Sequence, residues 1–197
     1  MPGPIHRRQG ANLPHWTAEG VTYFVTFRLA DSLPESAINK LKSEQALIER
    51  QFGRTDRPMT AEDLLRRSKL KSEAFLKLLD ECHGQCLLRD DSVAEIVAGA
   101  LRHFDRQRYL LFAWCVMPNH VHAVVQPVPG FTLQSILHSW KSFTANMANK
   151  QLGRSGTFWQ TEYYDHLIRD EAEFEHYVRY TRDNPVAAGL VDWKWVG

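Results

Sequence analysis

The chain has 197 residues, and its 24 Lys and Arg residues against 23 Asp and Glu residues give a formal net charge of +1. Hydrophobic residues make up 44% and charged residues 24%, which excludes a disordered or collagen-like chain. The length is enough for one core, or for one domain with a sizeable insertion. The near-zero charge argues against a generic, salt-driven nucleic-acid binder, because the surface of such a protein is usually basic. Cys82, Cys86 and Cys115 form no CxxC pair, so we expect reduced thiols rather than disulfides.

The beginning of the chain predicts one strand between an arm and a helix. Residues 1–20 show no periodicity, and we expect them to form an arm that leads into the fold. Residues 21–29 are rich in β-branched and aromatic side chains, which is typical of a strand. Ser32, with Glu35 three residues later, is a candidate N-cap of a first helix.

A long, mainly helical segment separates this strand from the next one. A second helix is predicted at about residues 61–79. Ser92 is a candidate N-cap of a third helix, which we expect to end near Phe104. We therefore expect residues 33–105 to be a helical insertion after the first strand.

The second half of the chain predicts alternating strands and helices. The predicted strands lie at residues 109–116, 120–126 and 158–168, and the predicted helices at residues 132–152 and 171–181. Met-Pro-Asn between the first two strands favours a hairpin, and Pro185 is expected to stop the last helix. The apolar positions expected to face the core are Leu133, Ile136, Leu137, Trp140, Phe143 and Met147. The order of elements indicates an α+β protein, with a mostly antiparallel sheet and helices on one face.

Two histidines flank Val121 on one of the predicted strands. Side chains two residues apart on a strand point to the same face, so the rings of His120 and His122 project together. Two neighbouring imidazoles suit a divalent metal ion with open coordination positions. The alternative is a chance HxH in which one ring bonds a loop carbonyl, and the motif alone does not decide between them.

A second candidate pair lies on the last predicted helix. Tyr180 and Asn184 are four residues apart and therefore share one helix face. Together they can supply a nucleophile and a third, hard ligand for Mg²⁺ or Mn²⁺. The alternatives are a buried structural tyrosine and an asparagine that caps the end of the helix.

Five sequence blocks follow one another in a fixed order. They are residues 114–122 (WCVMPNHVH), 139–143 (SWKSF), 158–160 (FWQ), 164–169 (YDHLIR) and 180–190 (YTRDNPVAAGL). This series resembles the REP-associated tyrosine transposases, a branch of the IS200/IS605-like single-tyrosine transposases with an HUH motif. The resemblance implies a ferredoxin-like antiparallel sheet with helices on one face, in a single domain over residues 1–197.

The resemblance also implies a role for each residue of the candidate site. His120 and His122 would be the metal-binding HUH pair, and Tyr180 would be the nucleophile. Asn184 would complete a site for Mg²⁺ or Mn²⁺, where many members of the wider family have glutamine. The competing tyrosines are Tyr163, Tyr164 and Tyr177.

The implied reaction is cleavage and transfer of single-stranded DNA beside hairpins, through a 5′-phosphotyrosine intermediate. The residues expected to contact the DNA are Arg7, Arg8, Lys141, Trp159, His166 and Arg169. Trp159 has the alternative of a place in the core. We expect a monomer or homodimer in the bacterial cytoplasm, associated with the nucleoid and not with a membrane.

Two other functions stay open at this point. One is a domesticated protein that binds DNA or RNA hairpins and no longer cuts them. The other is a metal-dependent hydrolase that uses water as its nucleophile, in which Tyr180 is structural. The presence of His120, His122 and Tyr180 together argues against the first of these alternatives.

Overall fold

The computed structural model describes residues 6–9, 14–17, 20–53 and 58–197. The strands are β1 (His6–Gln9), β2 (Pro14–Thr17), β3 (Tyr23–Arg28), β4 (Tyr109–Val116), β5 (His120–Pro127) and β6 (Tyr164–Leu167). The helices are α1 (Glu35–Phe52), α2 (Ala61–Asp80), α3 (Asp91–His103), α4 (Leu133–Gln151) and α5 (Glu171–Ala187). No helix among these described residues is long and apolar enough to cross a membrane.

The chain forms two compact units. One consists of Met1–Ala30 with Cys86–Gly197, and the other of Asp31–Gln85. The first unit contains the sheet and α3, and the second contains α1 and α2. The single domain over residues 1–197 stays a prediction.

The four-stranded sheet of the first unit has the order β4-β5-β3-β6, and each neighbouring pair is antiparallel. This is the strand order of a ferredoxin-like fold, so the predicted α+β class is confirmed. The predicted hairpin is confirmed as well, because β4 pairs with β5 across the Met-Pro-Asn turn.

Strand β3 separates two different environments by simple alternation. Tyr23, Val25 and Phe27 belong to the main hydrophobic core. Phe24 and Thr26 therefore point to the opposite face, although both are also buried. Burial on both sides explains why residues 21–29 contain a nearly continuous apolar run.

Helices cover both faces of this sheet. Val97 of α3 and Ile136 and Leu137 of α4 pack into the core that contains Val25, as predicted for helices on one face. Helix α5 lies on the other face, since the ring of its Tyr177 stacks on Phe24. The second layer of helix was not predicted, because α5 is largely polar along its length.

Helix α5 continues through Pro185, so the predicted stop before this residue was wrong. Proline has no N–H and cannot donate to the preceding turn, but the loss is confined to one hydrogen bond. The next turn closes normally, because the N–H of Ala188 donates to the carbonyl oxygen of Asn184 at 2.9 Å. Asn184 consequently lies inside the helix and is buried.

Two predicted helix caps were also wrong. Helix α1 begins at Glu35 with Pro34 as its N-cap, and no side chain caps it. Helix α3 begins at Asp91, and Asp90 caps it by accepting the N–H of Ser92 at 2.8 Å. An aspartate is an equally good cap, so Ser92, two residues after the true cap, was a false signal.

The N-terminal arm contains two strands that the sequence did not predict. Strands β1 and β2 form a two-stranded antiparallel sheet. Each has four residues, which is too short for a clear periodic pattern. Arg7 and Arg8 lie in β1, and their side chains are outside the described part of the structure.

Two further predictions need correction in the second half of the chain. The predicted strand at 158–168 shortens to β6, with an isolated bridge between Trp159 and Leu29. Phe143 and Met147 are 53% and 39% exposed, so they lie outside the core. The buried stripe of α4 is therefore narrower than its apolar spacing indicated. The predicted bounds of this helix, 132–152, are confirmed to within one residue at each end.

The second unit is a pair of helices with a small core of its own. Leu33, Ala37, Leu78 and Leu79 are buried together in it. Thr60 caps α2 with a full capping box, and the predicted helix at 61–79 agrees with α2 to within one residue.

Candidate active site

The two histidines on β5 form the buried centre of the site. His120 and His122 are both fully buried, and their Nε2 atoms lie 2.9 Å apart. The Nδ1 atom of His120 lies 2.7 Å from Oδ1 of Asn119. The Nδ1 atom of His122 lies 2.7 Å from Oγ1 of Thr26, on the neighbouring strand. Both rings project to the same face, as the HxH spacing predicts.

Burial keeps both rings neutral. It lowers the pKa of His120 to about 3. Burial, and then the proximity of His120, lower the pKa of His122 well below its ordinary range. A neutral imidazole has a lone pair on one ring nitrogen, which is the form that binds a metal ion.

Helix α5 brings Tyr180 to this pair. The centroid of its ring lies 5.5 Å from that of His122, with an angle of 66° between the planes. The ring of Phe24 meets Tyr180 edge-on at 5.6 Å and stacks on His122 at 5.3 Å. A predicted nucleophile and a predicted metal ligand of one chain are therefore neighbours.

The competing tyrosine Tyr177 lies one turn earlier on α5. Its ring stacks on that of Phe24 at 4.5 Å, and it lies tilted 4.9 Å from the ring of His166. The direct contact between the rings of Tyr180 and His122 favours Tyr180 over Tyr177 as the nucleophile.

Asn184 follows Tyr180 by one helical turn. Its side chain is buried, and its Oδ1 atom has no hydrogen-bond partner among the described residues. A buried polar atom without a partner is costly, so this oxygen suits a ligand.

The donor set fits a divalent metal ion. Two imidazoles and one amide oxygen are ligands that Mn²⁺ accepts readily, and Mg²⁺ also binds amide oxygens. The Nε2 atoms of His120 and His122, 2.9 Å apart, are close enough together to bind a single ion.

Two of the residues predicted to contact DNA hold the protein's own structure. The ammonium group of Lys141 donates to the backbone carbonyls of Gln160 and Thr161, at 2.7 Å each, and burial lowers its pKa. Trp159 is buried, and its Nε1 donates a hydrogen bond to Oγ1 of Thr144. It therefore lies in the core, which was the alternative to a contact with DNA. Lys141 and Trp159 also line a groove of about 780 Å³ between α4 and residues 156–163.

The other two described candidates precede α5, His166 in β6 and Arg169 just before the N-cap Asp170. Glu173 accepts the backbone N–H of Arg169 at 3.0 Å, and its carboxylate is 3.2 Å from Nε2 of His166. Burial lowers the pKa of His166, while Glu173 acts in the opposite direction. The guanidinium of Arg169 is half-exposed and accessible to a phosphate.

Three residues of the site were missed at the sequence level. Phe24 and Thr26 lie on the histidine face of β3, and Asn119 directly precedes His120. A threonine inside the apolar run at 21–29 was the available signal for Thr26. The pairing of Thr26 with His122 depends on strand register, which the local pattern does not contain.

Comparisons with known proteins identify similar proteins and a matching family. A family model described as "Transposase IS200 like" matches residues 87–184. A putative REP-associated tyrosine transposase of Haemophilus influenzae is 28% identical over 97 residues, covering 42% of this chain and 55% of that protein. The REP-associated tyrosine transposase of Escherichia coli is 30% identical over 89 residues, covering 41% and 49%. The chain thus spans about half the length of these curated relatives.

A solved structure shares the fold over most of the chain. It is that of a REP-associated tyrosine transposase bound to a REP hairpin, with 20% sequence identity and a TM-score of 0.52. The match covers 90% of this chain and 76% of the other. Residues 87–184, which contain both histidines, Tyr180 and Asn184, therefore belong to the IS200-like transposase family.

Proposed function

We propose that this protein is a metal-dependent endonuclease and strand transferase for single-stranded DNA, acting beside hairpins of the REP type. The observation that carries the proposal is the contact between Tyr180 and His122 within one chain. It joins a candidate nucleophile to a buried pair of neutral imidazoles. The similarity to REP-associated tyrosine transposases supports the choice of substrate.

His120, His122 and Asn184 would hold the metal ion, which is Mg²⁺ or Mn²⁺ in this proposal. When bound, such an ion supplies positive charge that stabilises the charge developing on a phosphate in the transition state. Phe24 packs against both His122 and Tyr180 and so keeps the tyrosine beside the metal ligands.

Tyr180 performs the covalent step. Its Oη attacks the phosphorus as the phenol proton leaves, and the bond from phosphorus to the 3′-oxygen breaks. The 3′-oxygen takes up a proton, so the products are a 5′-phosphotyrosine and a free 3′-hydroxyl. Because the new ester retains the energy of the broken bond, a 3′-hydroxyl can attack it and rejoin strands without ATP.

The remaining candidates would bind the DNA around this centre. Arg169 lies two residues before the helix that carries Tyr180, with an accessible guanidinium suited to a phosphate. Lys141 would act mainly by holding residues 160–161 through their backbone carbonyls. Arg7 and Arg8 stay proposals for a hairpin groove. Since one chain brings Tyr180 to its own His122, we propose that the active form is a monomer.

The test uses hairpin oligonucleotides with single-stranded flanks and added Mn²⁺. We expect a protein–DNA adduct that survives denaturation, absent from Tyr180→Phe and retained by the matched control Tyr177→Phe. Cleavage by Tyr180→Phe without an adduct would instead support a hydrolase that uses water. Tight binding of a REP-type hairpin without cleavage or adduct would support a binding protein.

A further inference from the structure

The second nitrogen of each ring in the histidine pair has its own buried oxygen partner. Asn119 is fully buried and Thr26 is 2% exposed. Their side-chain oxygens lie 2.7 Å from Nδ1 of His120 and Nδ1 of His122 respectively. The two Nε2 atoms then face each other at 2.9 Å. Both nitrogens of each ring therefore have a defined neighbour, an oxygen at Nδ1 and the other histidine at Nε2.

Asn119 selects one tautomer of His120. An amide oxygen only accepts hydrogen bonds, so Nδ1 of His120 carries the proton and Nε2 carries the lone pair. The backbone fixes Asn119 in turn, because its carbonyl oxygen accepts the N–H of Leu29 at 2.9 Å. The N–H of Met117 donates to the carbonyl oxygen of His120 at 2.8 Å and closes the same turn.

Thr26 behaves differently, because a hydroxyl both donates and accepts. When Nδ1 of His122 carries the proton, the Thr26 oxygen accepts it and Nε2 presents a lone pair. When Nε2 carries the proton, the hydroxyl donates to Nδ1 instead. The hydrogen bond to Thr26 therefore holds the ring in one orientation in either tautomer. Strand register secures this contact, since Thr26 and His122 are direct partners across β3 and β5.

We infer that Asn119 and Thr26 are positioning residues, which direct the Nε2 lone pairs of His120 and His122 to one metal ion. The inference rests on the proposed function and extends it to two residues that are not among the proposed metal ligands. Partners of this kind fix the tautomer and orientation of metal-binding histidines, and their loss weakens metal binding by about 10- to 100-fold.

Metal affinity is the first test, measured by calorimetric titration of the whole protein with Mn²⁺. Thr26→Val keeps the shape of the side chain but has no hydroxyl, and we expect about 10- to 100-fold weaker binding. The matched control Thr26→Ser keeps the hydroxyl and should bind within a few-fold of wild type. For His120, Asn119→Leu should weaken binding, while Asn119→Asp retains an accepting oxygen and much of the affinity.

Histidine tautomers are the second test, and they need no variant. Nitrogen-15 NMR of the wild-type side chains, recorded with chelator, should show His120 protonated at Nδ1. A proton on Nε2 of His120 would overturn the inference, and so would unchanged Mn²⁺ affinity in both Thr26→Val and Asn119→Leu.

The outcomes also separate this inference from the proposed function. In one outcome, His120→Ala loses Mn²⁺ binding and Thr26→Val weakens it, but the wild type forms no DNA adduct. This outcome would support the positioning role and contradict the strand-transfer role. A wild-type protein that forms the adduct but does not bind Mn²⁺ would overturn the positioning role alone.

Discussion

The ring of Tyr180 lies 5.5 Å from the ring of His122 in the same chain. The helix that carries Tyr180 also packs on the sheet further along, where Phe174 meets Phe112 of β4 at 5.0 Å. One chain therefore contains both halves of the proposed chemistry. A dimer that exchanges α5 is not needed to complete the site.

This arrangement predicts that a variant without the tyrosine nucleophile and a variant without the histidine pair do not restore each other's activity when they are mixed. Tyr180→Phe and the double variant His120→Ala with His122→Ala should both be inactive in forming the DNA adduct. A mixture of the two should stay inactive, because each chain carries one damaged half. Adduct formation by the mixture, measured on a denaturing gel, would show that α5 is exchanged between chains.

Phe24 is predicted to matter more for the site than an equally buried phenylalanine on the same strand. Phe24→Leu removes the ring that stacks on His122 and Tyr177 and meets Tyr180. Phe27→Leu is the control, since Phe27 packs on Trp140 and Trp159 on the opposite face. Both changes should lower the free energy of unfolding by about 1–3 kcal/mol.

Only Phe24→Leu should also slow adduct formation at saturating DNA, with little change in hairpin affinity. The comparison requires temperatures at which both variants are folded by circular dichroism. Equal rates for the two variants would mean that Phe24 contributes to stability alone.

Asn184 is predicted to act through its amide oxygen. Asn184→Leu should weaken Mn²⁺ binding at least about tenfold, because it removes one ligand of the proposed set. Asn184→Gln keeps an amide oxygen and should retain part of the affinity, in line with the glutamine of many members of the wider family. Calorimetric titration checks both, and equal affinity in wild type and Asn184→Leu would exclude this residue from the metal site.

Acid should destabilise the metal-free protein through the same histidines. Burial holds the pKa of His120 at about 3 and lowers that of His122 well below 6.5, the ordinary value that both regain on unfolding. The unfolded chain therefore binds more protons below pH 6.5. Stability is complete above that pH and falls as the pH drops towards 3.

Between these pKa values, each histidine lowers the equilibrium constant for folding by up to about tenfold for every unit by which the pH falls. Urea unfolding in chelator, at about pH 7.5 and about pH 5.5, measures the effect. A folded variant with both histidines replaced by glutamine should lose most of it. Equal pH dependence in wild type and this variant would show that other groups are responsible.

Local spacing was sufficient to predict the pairs that make up the site. His120 and His122 share a face because strands have a period of two, and Tyr180 and Asn184 share one because helices have a period near four. The hairpin between β4 and β5 and the capped start of α4 were local features as well. Each of these depends on residues a few positions apart in the chain.

What could not be predicted depends on contacts between distant segments. Thr26 faces His122 through strand register, and Trp159 enters the core by donating to Thr144 of α4. Pro185 stayed inside α5 because one missing hydrogen bond is a smaller loss than the packing of the helix on the sheet. None of these features can be read from the residues a few positions away in the sequence.

The identity of the modified tyrosine is the most direct measurement of the proposed chemistry. Trypsin cleaves after Arg169, Arg179 and Arg182, so Tyr177 and Tyr180 fall in separate peptides, 170–179 and 180–182. The adduct formed with a hairpin oligonucleotide and Mn²⁺ is digested with nuclease and trypsin and analysed by mass spectrometry. We predict a 5′-phosphonucleotide on Tyr180, while the same mass on Tyr177, or no modified tyrosine after cleavage, would contradict the proposed mechanism.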